Sequence, residues 1–256
     1  MENRGDGETM GNSLLVGVPV YGNHELTHAI VDDLQREDAD FVIIDNRGDY
    51  EPIRGERVER PGTNLGWAGG SNLGFRIAFS EGYENAMTLN NDTRLSVGYF
   101  DGLLDSSLPD DRGLVAGVYD DKAAHGQMLA EYDGPAQEYT PVSKYRDVNF
   151  VDGTGLLITR DAWRSVGDLD ERTFGPFAWG ADLDLSLRVR DAGYGIYVTE
   201  KSFLNHFGRA TAYQLAGKFR YVVGSHRHMV RGIRRAGLHK RLKQDASIPH
   251  TVHYLT

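Results

Sequence analysis

The stretch SLLVGVPVYGNHELTHAIVDDLQREDADFVIID, residues 13–45, decides the fold. Its first part, residues 13–20, is an apolar run that ends at a Tyr-Gly pair, which is typical of a buried strand running into a loop. Residues 24–36 carry apolar side chains four positions apart, the spacing of a helix that packs on a sheet. Residues 40–45 form the next apolar run, so the stretch predicts a βαβ unit.

The rest of the chain continues this alternation. Residues 64–74 (NLGWAGGSNLG) are rich in Gly and Asn and predict a loop, with a helix following over residues 75–79. Further strands are expected at residues 86–89, 113–119 and 155–159. A helix over 181–192 should turn Leu183 and Leu187 inward. The pattern indicates an α/β fold with a Rossmann-like, mainly parallel central sheet flanked by helices.

Composition limits the class of protein. The chain has 256 residues, of which 40% are hydrophobic and 25% are charged, enough for one large domain or a domain with a tail. Because there is no Cys, a disulfide framework, a thiolate zinc site and a cysteine nucleophile are excluded. No run reaches the ~20 apolar residues of a membrane span, and the polar residues 1–12 lack a signal-peptide core. We therefore expect a cytoplasmic protein.

Charge is divided unevenly along the chain. Residues 1–200 carry 36 Asp and Glu against 17 Lys and Arg, whereas residues 201–256 carry 11 Lys and Arg against one acid, Asp245. This basic C-terminal region has apolar residues at helical spacing, so we expect a basic helical extension. It could contact an anionic membrane surface, grip a nucleic acid, or pack on the acidic part of its own chain or of a second copy in a homo-oligomer.

Polar residues follow three of the predicted strands. They are Tyr21, Asp45-Asn46 and the segment 90–93 (NNDT), and ligands of parallel sheets gather at this carboxyl edge. Carboxylate and amide oxygens at residues 90–93 suit Mg²⁺ or Mn²⁺, although the same residues favour a simple turn.

Two later segments could carry chemistry. In FAWGADLD, residues 177–184, Asp182 is the better candidate for a general base, because Asp184 lies four residues before Arg188 and can pair with it. Helix capping is the competing role for both acids. His206 follows a predicted strand and is either a structural residue or a nitrogen ligand of the same cation.

In this order, the pieces resemble the inverting nucleotide-sugar glycosyltransferases of the GT-A fold, in particular their rhamnosyl- and galactofuranosyltransferase-like branch. The resemblance covers about residues 13–211. The matching segments are VGVPVYG (16–22), VIIDNRG (42–48), NLGWAGGSNLGF (64–75), MTLNNDT (87–93), FVDGTGLLITRDAWRSVGDLDERTFGPF (150–177), GADLDLSLRVRDAGY (180–194) and LNHFGRAT (204–211).

This resemblance implies a role for each site residue. Nucleotide-sugar binding falls to Pro19, Tyr21, Asp45, Asn46, Asn72, Asn91 and Asp92. Asp92 and His206 would hold the divalent cation, Mn²⁺ or Mg²⁺, and Asp182 would be the catalytic base. The acceptor would meet Trp179, Gly180 and Asp184.

The resemblance also implies the reaction and the domain organisation. A sugar would pass with inversion from a UDP- or dTDP-linked donor to a hydroxyl of a glycan, lipid-linked, protein or nucleic-acid acceptor. Residues 1–12 would be a polar leader, 13–211 the GT-A domain and 212–256 the basic extension, which could place the protein at the inner face of a membrane. A sugar-phosphate nucleotidyltransferase and a non-catalytic module that binds sugar or nucleic acid are the alternatives.

Overall fold

The structure of the protein is a computed structural model. It describes residues 13–121, 126–175, 178–207, 218–245 and 250–255. The leader 1–12 and the expected boundary after residue 211 lie outside these ranges. Within them, no helix combines the length and the apolar composition needed to cross a membrane.

Strands and helices alternate along the described chain. The strands are β1 (Leu14–Val20), β2 (Asp40–Asp45), β3 (Val58–Glu59), β4 (Asn85–Leu89), β5 (Thr93–Leu95), β6 (Arg112–Tyr119), β7 (Lys144–Asp147), β8 (Gly155–Thr159), β9 (Gly195–His206) and β10 (Thr251–Tyr254). The helices are α1 (His24–Arg36), α2 (Gly66–Ser80), α3 (Tyr99–Leu103), α4 (Arg160–Val166), α5 (Ala181–Asp191), α6 (Lys218–Arg235) and α7 (His239–Asp245).

One sheet joins these strands in the order β10-β7-β9-β6-β8-β4-β1-β2-β3, and β5 pairs with β9. Strand β1 is parallel to both β2 and β4, as the predicted βαβ unit requires. The side of the sheet beyond β4 adds antiparallel pairs, first between β4 and β8 and then between β8 and β6. The expected α/β fold class is confirmed.

The core forms where the sequence pattern places it. Every residue of β1 apart from Pro19 is buried, because this strand lies between β2 and β4 and is covered by helix α2. Helix α1 buries Ile30 and Leu34 at the predicted spacing of four residues. Packing of this kind fixes the carboxyl ends of β1, β2 and β4 at one edge of the sheet.

The prediction of a glycine-rich loop over residues 64–74 was wrong, because helix α2 already begins at Gly66. The glycines serve close packing: a Cβ on Gly74 would lie 3.2 Å from the Cα of Gly17 in β1. A Cβ on Gly70 would lie 3.0 Å from the Cβ of Pro19. Close approach of helix and strand therefore favours glycine here, and tertiary contacts outweigh its poor helix propensity.

The second half of the chain agrees with most of the expectations. Strands β6 and β8 and helix α5 form where they were predicted. In α5, Leu187 is buried, but Leu183 is only half-buried and Leu185 takes the second inward position. Strand β10, from the basic C-terminal region, returns to the sheet and pairs antiparallel with β7.

Candidate active site

The carboxyl ends of β1 and β2 carry the first group of predicted site residues. Pro19 and Tyr21 lie at the end of β1 and are half-buried. The buried carboxylate of Asp45 accepts hydrogen bonds from the backbone N–H groups of residues 47, 48 and 50 at 2.8–3.2 Å. Asp45 therefore shapes the loop after β2, and its part in holding a nucleoside stays a prediction.

Two buried asparagines connect α2 to its surroundings. Asn46 donates to the carbonyl oxygen of Gly66 at 3.3 Å and accepts from the N–H of Leu65 at 3.1 Å, which fixes the start of α2. Asn72 accepts from the N–H of Leu169 and donates to its carbonyl oxygen, and it donates to Glu171 at 2.7 Å. Asn46 thus connects the end of β2 to the start of α2, and Asn72 connects α2 to residues 169 and 171.

The segment after β4 is anchored by side chains from two helices. Trp67 in α2 donates its indole N–H to the Oδ1 of Asn90 at 3.0 Å. Asn91 donates to the hydroxyl of Thr27 in α1 at 2.9 Å. These contacts fix the backbone on both sides of the turn and present Asp92, which is itself buried, to β9.

Asp92 and His206 come together, as predicted. The Nε2 atom of His206 lies 3.5 Å from the Oδ1 of Asp92, and its Nδ1 lies 3.2 Å from the Oδ2 of Asp121. Burial alone would lower the pKa of His206, but hydrogen bonds to Asp121 and Asp92 raise it to about 10. Asp121 was not singled out from the sequence, although it supplies the acceptor that an imidazole ligand needs on its other nitrogen.

Asp92 and His206 supply ligand atoms that are chemically suited to a divalent cation. Over the described ranges, no group of three or more His, Asp and Glu residues has the arrangement of a complete metal site. The carboxylate of Asp92 and the Nε2 of His206 nevertheless face each other, while the Nδ1 of His206 is held by Asp121. Two protein ligands of this kind fit Mn²⁺ or Mg²⁺ when diphosphate oxygens and water complete the coordination.

Asp182 lies at the start of α5 with its carboxylate fixed by two backbone donors. Its Oδ2 accepts from the N–H of Gly153 at 3.1 Å, and its Oδ1 accepts from the N–H of Leu183 at 2.9 Å. The residue is partly exposed, yet withdrawal of its carboxyl from water, together with the charge of Asp152, raises its pKa to about 6. A carboxylate of this kind can take up a proton near neutral pH.

Asp152 and Tyr119 join Asp182 to the pair of Asp92 and His206. Tyr119 donates its hydroxyl to Asp152, and its ring packs edge-on against the ring of His206 at 6.2 Å. Asp152 also accepts from the N–H of residue 154 at 3.0 Å. Neither residue was predicted; the signal for Asp152 was its place in the segment FVDGTG of the resemblance.

Three residues were predicted to contact the sugar acceptor. Of these, Asp184 lies apart from the Asp182 cluster, which consists of Asp182, Asp152, Tyr119, His206 and Asp92. Its carboxylate accepts from Arg188 at 2.8 Å, and Arg188 also donates to the carbonyl oxygens of residues 166 and 168. Trp179 is half-buried beside the start of α5. Gly180 has a φ of 99°, a left-handed conformation that begins the helix and favours glycine.

The chain has similar proteins both in sequence and in structure. No family model matches the chain. Three mycobacterial proteins, "Uncharacterized protein Rv1525" and "Uncharacterized protein MT1576" of Mycobacterium tuberculosis and "Uncharacterized protein Mb1552" of Mycobacterium bovis, are each 54% identical to it over 223 residues. That match covers 87% of this chain and 85% of theirs. The chain belongs to their family.

Solved structures with a similar fold include two glycosyltransferases. The mannosyltransferase PcManGT of Pyrobaculum calidifontis, solved with GDP-Man and Mn²⁺, is 14% identical with a TM-score of 0.60 over 88% of this chain and 64% of its own. GalNAc-T7, solved with UDP, GalNAc and Mn²⁺, is 15% identical with a TM-score of 0.55 over 76% of this chain and 44% of its own. The chain of this protein therefore has the GT-A fold.

Proposed function

We propose that this protein is an inverting glycosyltransferase that moves a sugar from a nucleoside-diphosphate donor to an acceptor hydroxyl. One observation carries the proposal: a fixed carboxylate, Asp182, shares a cluster with the pair of Asp92 and His206 at the carboxyl edge of a GT-A sheet. A single displacement needs a base at the attacking oxygen and a positive centre at the leaving diphosphate, and this cluster has candidates for both roles: Asp182 as the base, and Asp92 with His206 as ligands of a cation.

Asp182 is the general base of the proposed reaction. Its Oδ atoms accept from backbone N–H groups whose positions are set by β8 and α5, so the carboxylate is oriented before an acceptor arrives. An acceptor hydroxyl would give its proton to Asp182 as its oxygen forms the bond to the anomeric carbon. The bond from that carbon to the diphosphate breaks on the opposite face, which gives inversion.

Asp92 and His206 are the proposed ligands of the divalent cation. Asp121 holds the imidazole ring of His206 through its Nδ1 atom, so that Nε2 faces Asp92. When bound, Mn²⁺ or Mg²⁺ would offset the negative charge that develops on the diphosphate. The residues at the ends of β1 and β2 are the proposed nucleoside contacts, with a UDP- or dTDP-linked sugar as the donor. Mn²⁺ and nucleotide ligands in the structures of GalNAc-T7, solved with UDP, and PcManGT, solved with GDP-Man, support a divalent cation and a nucleotide-sugar donor.

The test is to replace Asp182 by Asn and to measure release of nucleoside diphosphate from UDP- and dTDP-sugars with Mn²⁺ present. We expect turnover to fall by ~10² to 10⁴, the usual contribution of a positioned base. Because Asp182 is not among the proposed contacts of the nucleotide, the variant should still bind UDP or dTDP with nearly wild-type affinity, which calorimetry measures.

Asp184→Asn is the matched control, since Asp184 pairs with Arg188 and leaves α5 in another direction. It should keep near-normal turnover. An inactive Asp184→Asn variant together with an active Asp182→Asn variant would show that Asp184, and not Asp182, is the base. Normal turnover in both variants would exclude the displacement mechanism.

A further inference from the structure

The last long helix of the described chain, α6, has two faces of different character. Its inner face packs on the loop that leads to Asp182: a Cβ on Gly175 would meet the ring of His228, and one on Gly180 would lie 3.4 Å from Met229. A Cβ on Gly232 of α6 would in turn meet the ring of Phe174. These contacts turn the opposite face of α6 away from the rest of the described chain.

That opposite face, the outer face of α6, consists of Val223, Arg227, Val230, Arg231 and Arg234. These positions fall on one side of a helix with 3.6 residues per turn. The three arginines are exposed, Val223 is 41% exposed and Val230 is half-buried. With His226, four of these residues line a hollow of about 480 Å³ that opens to solvent.

The arginines of the outer face differ from other arginines of the described chain in their surroundings. Across the described residues, none of Arg227, Arg231 and Arg234 forms an ion pair with an acid. By contrast, Arg241 in α7 pairs with Asp191 of α5 at 2.5 Å. Residues 201–244 contain 11 Lys and Arg and no acid, so no side chain of this region itself supplies a counter-charge.

We propose that the outer face of α6 binds the surface of an anionic phospholipid bilayer. Guanidinium groups pair with lipid phosphates in a bidentate geometry, and the hollow between them has room for headgroups. Val223, which is 41% exposed, favours this partner over a nucleic acid, because an apolar side chain gains from entering the acyl boundary and gains little beside a phosphate backbone. The contact would hold the Asp182 cluster beside the membrane.

The experiment is co-sedimentation of the full chain with vesicles made of equal parts phosphatidylcholine and phosphatidylglycerol, and with vesicles of phosphatidylcholine alone. We expect binding to the anionic vesicles only, and a steep loss of binding as salt rises from roughly 50 to 200 mM. The variant R227Q/R231Q/R234Q should bind about a hundredfold more weakly, because it lacks three basic residues that each strengthen binding to an anionic surface.

The control variant R54Q/R57Q/R164Q removes the same charge from other exposed sites, where each arginine pairs with an acid. It should keep the wild-type affinity for anionic vesicles. Thermal unfolding of both variants confirms that each is folded.

Three results would overturn the proposal: no binding of the wild type to anionic vesicles at low salt, equal losses in the two variants, or duplex DNA that displaces the chain from vesicles. The readout involves no sugar transfer, so failure here and failure of the proposed function are separate results.

Discussion

At the residue scale, the chemistry of Asp182 is set by neighbours from distant parts of the chain. Burial is the largest cause of its raised pKa, and the charge of Asp152 adds to it. The N–H groups of Leu183 and Gly153 act in the opposite direction, because they stabilise the ionised form. The balance leaves a pKa of about 6, so we expect the Asp182 carboxyl to be ionised at neutral pH and its proposed activity as a base to be lost as the pH falls through 6.

Replacing Asp152 by Asn should extend activity to lower pH. Without the charge of Asp152, the ionised form of Asp182 becomes more favourable, so its pKa moves down from about 6. The acid limb of kcat/KM for donor turnover, measured between about pH 4 and pH 8, should shift to lower pH. Asp161→Asn, at a side chain that is 78% exposed, should leave the limb in place. An unshifted limb in Asp152→Asn would mean that Asp152 does not tune Asp182.

The sequence could single out Asp92, His206 and Asp182 as candidates because each follows or begins a recognisable element and has a side chain suited to the proposed chemistry. It could not predict Asp121 or Asp152, since their importance comes from contacts across 85 residues with His206 and across 33 with Tyr119. Asp121 follows β6 and Asp152 precedes β8, and these two strands pair only in the folded sheet. The alternative of a simple turn after β4 is compatible with the site, because the same turn presents Asp92.

At the element scale, helix α2 shows why the glycine-rich segment was misread. Local propensity indicates a loop, since glycine costs roughly 1 kcal/mol relative to alanine within a helix. In the folded protein, however, Gly74 lies against Gly17 of β1, and a larger residue at either position would separate helix and strand. The sequence carries both signals, and only the packing distance decides between them.

Gly74→Ala should therefore destabilise the protein even though alanine is the better helix former. Its Cβ would lie 3.2 Å from the Cα of Gly17, and neither backbone can move without disturbing β1 between its two neighbours. Strain of this kind typically costs ~1–3 kcal/mol, measured here as the free energy of unfolding in urea. Gly126→Ala is the control, because no described atom lies within 4 Å of the added Cβ. A more stable Gly74→Ala would show that propensity, not packing, dominates in α2.

At the scale of the whole molecule, charge is separated between the sheet domain and the C-terminal helices. The candidate site gathers Asp92, Asp121, Asp152 and Asp182 within one cluster, while α6 turns its arginines outward. The acidic cluster repels a nucleoside diphosphate, which is itself an anion. We therefore expect binding of a nucleoside diphosphate to be coupled to a cation within the site.

The last prediction follows from that coupling: UDP or dTDP should raise the melting temperature only when Mn²⁺ or Mg²⁺ is present. At a ligand concentration of 100 Kd, binding to the folded state contributes about 2.7 kcal/mol, which corresponds to a rise of roughly 5–10 °C for a domain of this size. Excess chelator should abolish the rise, which differential scanning fluorimetry measures. His206→Ala should lose the cation-dependent part, whereas His239→Ala, at an exposed position in α7, should keep it. An equal rise in melting temperature with excess chelator would exclude Asp92 and His206 as metal ligands. The diphosphate would then bind beside the acidic cluster without a metal counter-charge.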